Sequence, residues 1–118
     1  MTNLLQKQPA PKANDEVSSW DYVIESYLET RDNYFTGEIV ELMRERNEFG
    51  IKKHGTALQP DNGRDSLADA FQEVLDSVVY VQNAILEGKD VDYNLMDVKK
   101  KLLDIIEIIC MVQKENGG

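Results

Sequence analysis

The sequence predicts an all-α protein, and three observations carry that prediction. Apolar residues recur at spacings of three and four through most of the chain. No segment alternates apolar with polar residues as a half-buried strand does. The densest cluster of turn formers, "HGTALQPDNGR" at 54–64, falls between periodic stretches. Short connections between helices make a four-helix-type antiparallel bundle the expected packing. The length suits one domain.

Residues 1–14 hold two prolines and few large apolar groups, so they are expected to form a flexible arm, with residues 15–118 as a single domain. The first helix is capped by Ser18 or Ser19 and places Trp20, Val23, Ile24, Tyr27 and Leu28 at helical spacing. Thr36 is expected to cap the second, "EIVELMRERNEFGIKK", which should fray near Gly50 or stop at Gly55. After the 54–64 loop, Asp65 or Ser66 caps a third helix that runs to Gly88. It turns Leu67, Phe71, Val74, Val78, Val81 and Ile85 toward a core. The fourth begins near Asp92 or Asn94 and carries Leu95, Val98, Leu102, Ile105, Ile106 and Ile109. Both long helices are apolar over more than a narrow seam. The third is apolar over about half its circumference, more than four helices of one small chain cover. A homo-oligomer, dimer or tetramer, is therefore expected, with the third and fourth helices supplying much of its interface.

A formal charge of −9 argues against general nucleic-acid binding, which needs clustered Lys and Arg to displace counterions from phosphates. A small phosphorylated ligand stays compatible if divalent cations screen the repulsion. No apolar run approaches the roughly 20 residues that cross a bilayer, and "MTNLLQKQPAPKAND" has no signal-peptide core, so a soluble cytoplasmic protein without a membrane partner is expected. Cys110, the only cysteine, lies in "IIEIICMV" and reads as a buried thiol. With His54 the only histidine, no zinc site can be assembled from His and Cys.

Two acidic rows stand out. Glu38, Glu41, Glu45 and Glu48 follow spacings of three, four and three on the second helix; Asp69, Glu73, Asp76 and Tyr80 do the same on the third, with Asn83 one turn on. Such rows admit two readings. Facing one another across a helical hairpin, they form a hard-cation site for Mg²⁺ or Mn²⁺, which take carboxylate and water oxygens. Facing outward, they are a solvated charge row, as is normal opposite an apolar face. The loop between them carries Lys52, Lys53, His54 and Arg64, the kind of cations that grip a polyphosphate. Lys52 and Lys53 also complement the negative end of the second helix, while Arg64 sits beside a helix N-terminus that favours anions.

The stretch "RNEFGIKKHGTALQPDNGRDSLADAFQEVLDSVVYVQNAI" resembles the phage-type MazG-like nucleoside triphosphate pyrophosphohydrolases, with the likeness lying within residues 38–86. In that family two glutamates three apart precede a Glu-x-x-Asp on the next helix. Glu38 and Glu41 fit the first element, Glu73 and Asp76 the second. Gly37 stands where the family has a further glutamate, Lys53-His54-Gly55 replaces Lys-Tyr-Gly, and the gap from Glu41 to Glu73 is longer than usual. Glu45 and Glu48 share the first spacing and remain an alternative pair.

The resemblance implies a MazG-like domain that cleaves a (deoxy)nucleoside triphosphate to a monophosphate and pyrophosphate. It implies Mg²⁺, or Mn²⁺ in its place, on Glu38, Glu41, Glu73 and Asp76. Glu38 or Glu45 would be the general base, and Lys53, His54, Arg64, Tyr80 and Asn83 would contact substrate. Purine triphosphates (dGTP, GTP or dATP) are the expected substrates, in a host cytoplasm. The competing expectation is a non-catalytic acidic module for oligomerisation or regulation.

Overall fold

The computed structural model of the chain describes residues 4–89 and 94–117. Four α-helices and no strand occur among the described residues, so the fold is all-α: α1 (Ser19–Thr30), α2 (Thr36–His54), α3 (Ser66–Leu86) and α4 (Leu95–Glu115). The chain forms two compact units, one from Pro9–Arg64 and one from Met1–Gln8 together with Asp65–Gly118. No helix among the described residues is long and apolar enough to cross a membrane.

In the Pro9–Arg64 unit, α1 packs against α2. Ile24 and Val40 are the buried apolar residues of this contact, with Tyr27, Ile39 and Met43 half-buried beside them in sequence register. α1 starts without a side-chain cap, and its Ser19 N–H donates instead to the Leu58 carbonyl at 2.7 Å. Thr36, expected as a cap, is the first helical residue of α2. Its hydroxyl accepts from the Asn33 N–H at 2.9 Å, and Asn33 Oδ1 accepts from Phe35 N–H, which folds residues 31–35 into a tight connection. α2 continues through Gly50 and ends where Gly55 takes φ +74°, its N–H bonded to the Ile51 carbonyl. A residue with a Cβ strains in that left-handed conformation, which is why the helix stops here.

In the other unit α3 and α4 pack along one another. Asp65 caps α3 by accepting the Ala68 N–H at 3.1 Å, and Asn94 caps α4 by accepting the Met96 N–H at 2.9 Å. Asp92, the other expected cap, lies outside the described residues. Ala68 and Phe71 are buried and form a cluster with Leu67, Leu75, Ile106 and Ile109. α3 ends at Leu86, with Gly88 at φ +71° donating to Ile85 and Lys89 to Ala84, so the break falls where the sequence places it.

Several apolar side chains at the predicted helical spacing are exposed: Val23 and Leu28 on α1, and Val98 and Ile105 on α4. Leu95, Leu102, Ile106 and Ile109 occupy the stripe that is covered on α4, and Val98 and Ile105 lie roughly 60–80° round the helix from it at 100° per residue. Cys110 is likewise exposed, because a single neighbouring helix does not reach round to its side of α4.

Residues 4–14, expected as a loose arm, contain no helix or strand but are anchored along their length. Leu4 is 0% exposed and completes the cluster of Ala68 and Phe71. Gln72 Nε2 donates to the carbonyls of Leu4 (2.8 Å) and Gln6 (3.1 Å), and Gln8 Oε1 accepts the Asp65 N–H at 2.7 Å. Full burial of a leucine stabilises by about 1.5–3 kcal/mol. Leu4→Ala is accordingly expected to lower the unfolding free energy by about 2–5 kcal/mol. Leu5→Ala, at a side chain 67% exposed, should change it by less than about 0.5 kcal/mol. Urea titration followed by circular dichroism checks both.

Candidate functional site

The α2 row is built by the helix itself. Ile39, Val40, Met43 and Asn47 are buried or half-buried, whereas Glu38, Glu41, Glu45 and Glu48 are all exposed. With successive residues 100° apart, that places Glu38, Glu41 and Glu45 on the far side of α2 from its contact with α1, and Glu48 at the edge of that contact. Glu41, Glu45 and Glu48 line one groove of about 450 Å³ together with Arg44, Phe49 and Lys52. Glu38 is not among its lining residues. The Arg46 guanidinium stacks 4.7 Å from the centre of the Phe49 ring, which holds that ring at the groove's edge.

A second groove of about 440 Å³ runs along the α1 side, lined by Asp21, Ile24, Glu25, Leu28, Arg44, Asn47 and Glu48. Arg44 and Glu48 therefore border both grooves. Asn47 Oδ1 is buried without a hydrogen-bond partner among the described residues.

The α3 row follows the same rule. Phe71 is buried and Leu67, Val74, Leu75 and Val78 are half-buried, while Glu73, Asp76, Tyr80 and Asn83 are exposed and Asp69 is half-buried. Tyr80 is 68% exposed, so it is not a core tyrosine within its own unit. Ser77 Oγ donates to the Glu73 backbone carbonyl at 2.8 Å, a bond within the helix that does not involve the Glu73 carboxylate. Each acidic row thus lies mostly on the face its helix turns away from its own packing partner. Among the described residues no group of three or more His, Cys, Asp or Glu is gathered as a metal cluster.

The basic residues take up different positions. Lys52, Lys53 and His54 form the last turn of α2 and are exposed, where their charge complements the helix dipole. Arg64 is half-buried, and its Nη1 donates to the Pro9 carbonyl at 2.7 Å, so the guanidinium has a fixed backbone anchor. The loop before it is a built turn. Asp61 and Gly63 have φ of +56° and +86°, and Asn62 is buried with its Oδ1 accepting the Arg64 N–H.

Asn14 and Gln59, which the sequence did not single out, clasp this loop. Asn14 Nδ2 donates to the carbonyls of Pro60 and Asp61, and the Asn14 N–H to Gln59 Oε1. Gln59 Nε2 donates back to the carbonyls of Asn14 and Glu16. Their only sequence signal is polarity beside prolines, which is common to most loops.

Comparison of the chain with protein-family models, with curated proteins and with solved structures finds no match. The fold and the geometry define the class: an all-α protein whose second and third helices each expose a row of acids, joined in sequence by a hydrogen-bonded loop that carries Arg64.

The two glycines of this region should respond oppositely to alanine. Gly50 is helical, with open space where a Cβ would go, so Gly50→Ala is expected to stabilise by about 0.5–1 kcal/mol. Gly55 has equal space but φ +74°, so Gly55→Ala should destabilise by about 1–2 kcal/mol. Thermal melts of the two variants read the difference in sign.

Proposed function

We propose that this chain is a Mg²⁺-dependent nucleoside triphosphate pyrophosphohydrolase of the MazG-like type, acting on a purine triphosphate and releasing the monophosphate and pyrophosphate. The observation that carries the reading is the pair of exposed carboxylate rows on α2 and α3, with Lys53 and His54 at the end of α2 and Arg64 in the loop that follows lying between the rows in sequence. The likeness of residues 38–86 to that family supports it.

The donor chemistry fits the cation. Glu38, Glu41, Glu73 and Asp76 offer only hard carboxylate oxygens at exposed positions, which is what Mg²⁺ or Mn²⁺ takes. When bound, the cation supplies charge screening for the triphosphate and lowers the pKa of a coordinated water. The chain's own groups do the rest. Glu38 or Glu45 removes a proton from the attacking water as the α–β anhydride bond is cleaved. Lys53, with His54 beside it, neutralises charge building on the departing pyrophosphate, as does Arg64, whose guanidinium the Pro9 carbonyl orients. Tyr80 and Asn83 contact substrate groups in this reading, which their exposure along the α3 row supports.

A homo-oligomer, dimer or tetramer, is part of the proposal, in the cytoplasm and without nucleic-acid or membrane partners. Its support is the apolar surface left on α4, where Ile105, Ile108, Met111 and Val112 are exposed, and on α3, where Val79 and Leu86 are. The same surface favours the second reading, a non-catalytic oligomerisation or regulatory module whose acids only keep it soluble.

Incubation with Mg²⁺ and each of the eight common triphosphates, with pyrophosphate as the readout, separates the two. Release is expected from at least one purine triphosphate, with Glu73→Gln slower by on the order of 100-fold. No release above that variant from any triphosphate would transfer the chain to the second reading. In the absence of substrate, Mn²⁺ should raise the melting temperature of the wild-type protein by mass action, and raise it less in Asp76→Asn. Equal shifts in the two proteins would remove Asp76 from the ligand set.

A further inference from the structure

We propose that residues 9–16 are a strap that holds the 58–64 loop in its ordered conformation chiefly through hydrogen bonds, with Asn14 and Gln59 as its clasp, and that it opens without unfolding the helices. The proposal goes beyond the catalytic reading and stands without it.

The contacts run the length of the segment. Pro9 O accepts from Arg64 Nη1 at 2.7 Å, and Lys12 N–H donates to Asn62 O at 2.9 Å. The Asn14 and Gln59 amides then exchange five hydrogen bonds of 2.7–3.2 Å with one another and with the carbonyls of Asn14, Glu16, Pro60 and Asp61. The Asn14 amide thereby grips both carbonyls of the turn in which Asp61 is left-handed. Aspartate tolerates that region better than most residues with a Cβ, and the two bonds from Asn14 favour it further.

The composition of the strap explains why hydrogen bonds suffice and why they remain breakable. Pro9 and Pro11 fix their own φ near the extended range, which reduces the freedom lost on docking. No residue of 9–16 is buried, in contrast to Leu4 upstream, which is fully buried among Ala68 and Phe71. A segment with exposed hydrogen bonds and no buried apolar side chain opens at far lower free energy than a helical core. Opening would free Arg64 from Pro9 O and release the turn at Asp61–Gly63, while Leu4 and α1 still fix the segment's two ends. Order in the loop before α3 is thus a separate equilibrium from folding.

Amide hydrogen exchange of the full chain, read residue by residue by NMR, tests this. In the wild type the Lys12 N–H is expected to exchange faster than the helix-interior amides of Phe71 and Ile106. Asn14→Ala and Gln59→Ala should each speed exchange at Lys12 and Arg64 by about tenfold, since each removes at least two hydrogen bonds, and leave Phe71 and Ile106 unchanged. Three results would each overturn the proposal: Lys12 exchanging at the Phe71 rate in the wild type, no change at Lys12 in either variant, or equal acceleration at Lys12 and Phe71.

Discussion

A helix packed against one neighbour hides a stripe little wider than 100° of its surface, and everything else about this chain follows from how that limit is met. Each unit contains one helix pair, α1 with α2 and α3 with α4. The covered stripes take Val40 on α2 and Phe71 on α3. The other faces carry acids in rows on α2 and α3, and large apolar side chains on all four helices, most densely on α4. The acids are satisfied by water or by a cation. The apolar residues are not satisfied by either, which is the physical ground for expecting a second copy of the chain to cover them.

The two units are held by different forces. In the α3–α4 unit the centre is dry: Leu4 and Ala68 have no exposed surface, and Leu67, Leu75, Ile106 and Ile109 pack round them. In the Pro9–Arg64 unit, apolar burial is limited to Ile24 and Val40, and much of the order outside the helices comes from amide side chains and backbone carbonyls. Individual hydrogen bonds contribute about 0.5–1.5 kcal/mol each, comparable in sum to one buried leucine but lost one at a time. A loop held in this way can be well defined and still adjust to a ligand, a useful property for a segment that carries Arg64.

The chemistry of the candidate site rests on the same division. Carboxylates opposite a packed face keep their solvation, and the rows on α2 and α3 are exposed in this way apart from the half-buried Asp69. Glu41 and Glu45 share one groove with Arg44 and Lys52, so acid and base already lie side by side on α2. Arg64 differs from the exposed Lys53 and His54 in having a backbone carbonyl to orient it, and an oriented guanidinium suits the forked geometry of phosphate oxygens.

Local rules determined a good deal from the sequence alone. The four helices, the caps at Asp65 and Asn94, the stop at Gly55 and the two acidic rows all arise from residues within four or five positions of one another, where periodicity and capping chemistry act directly. Tertiary structure alone decided which apolar residues are covered. Val98, Ile105 and Cys110 match the helical pattern as well as Ile106 and Ile109 do, yet only the latter two fall under α3. It also decided the fate of residues 4–14, since the bonds of Asn14 to Gln59 and of Gln72 to Leu4 join positions 45 and 68 apart. At such separations a polar or leucine side chain carries no mark of its partner, because periodicity and capping act only over four or five positions and the pairing depends on the whole intervening fold.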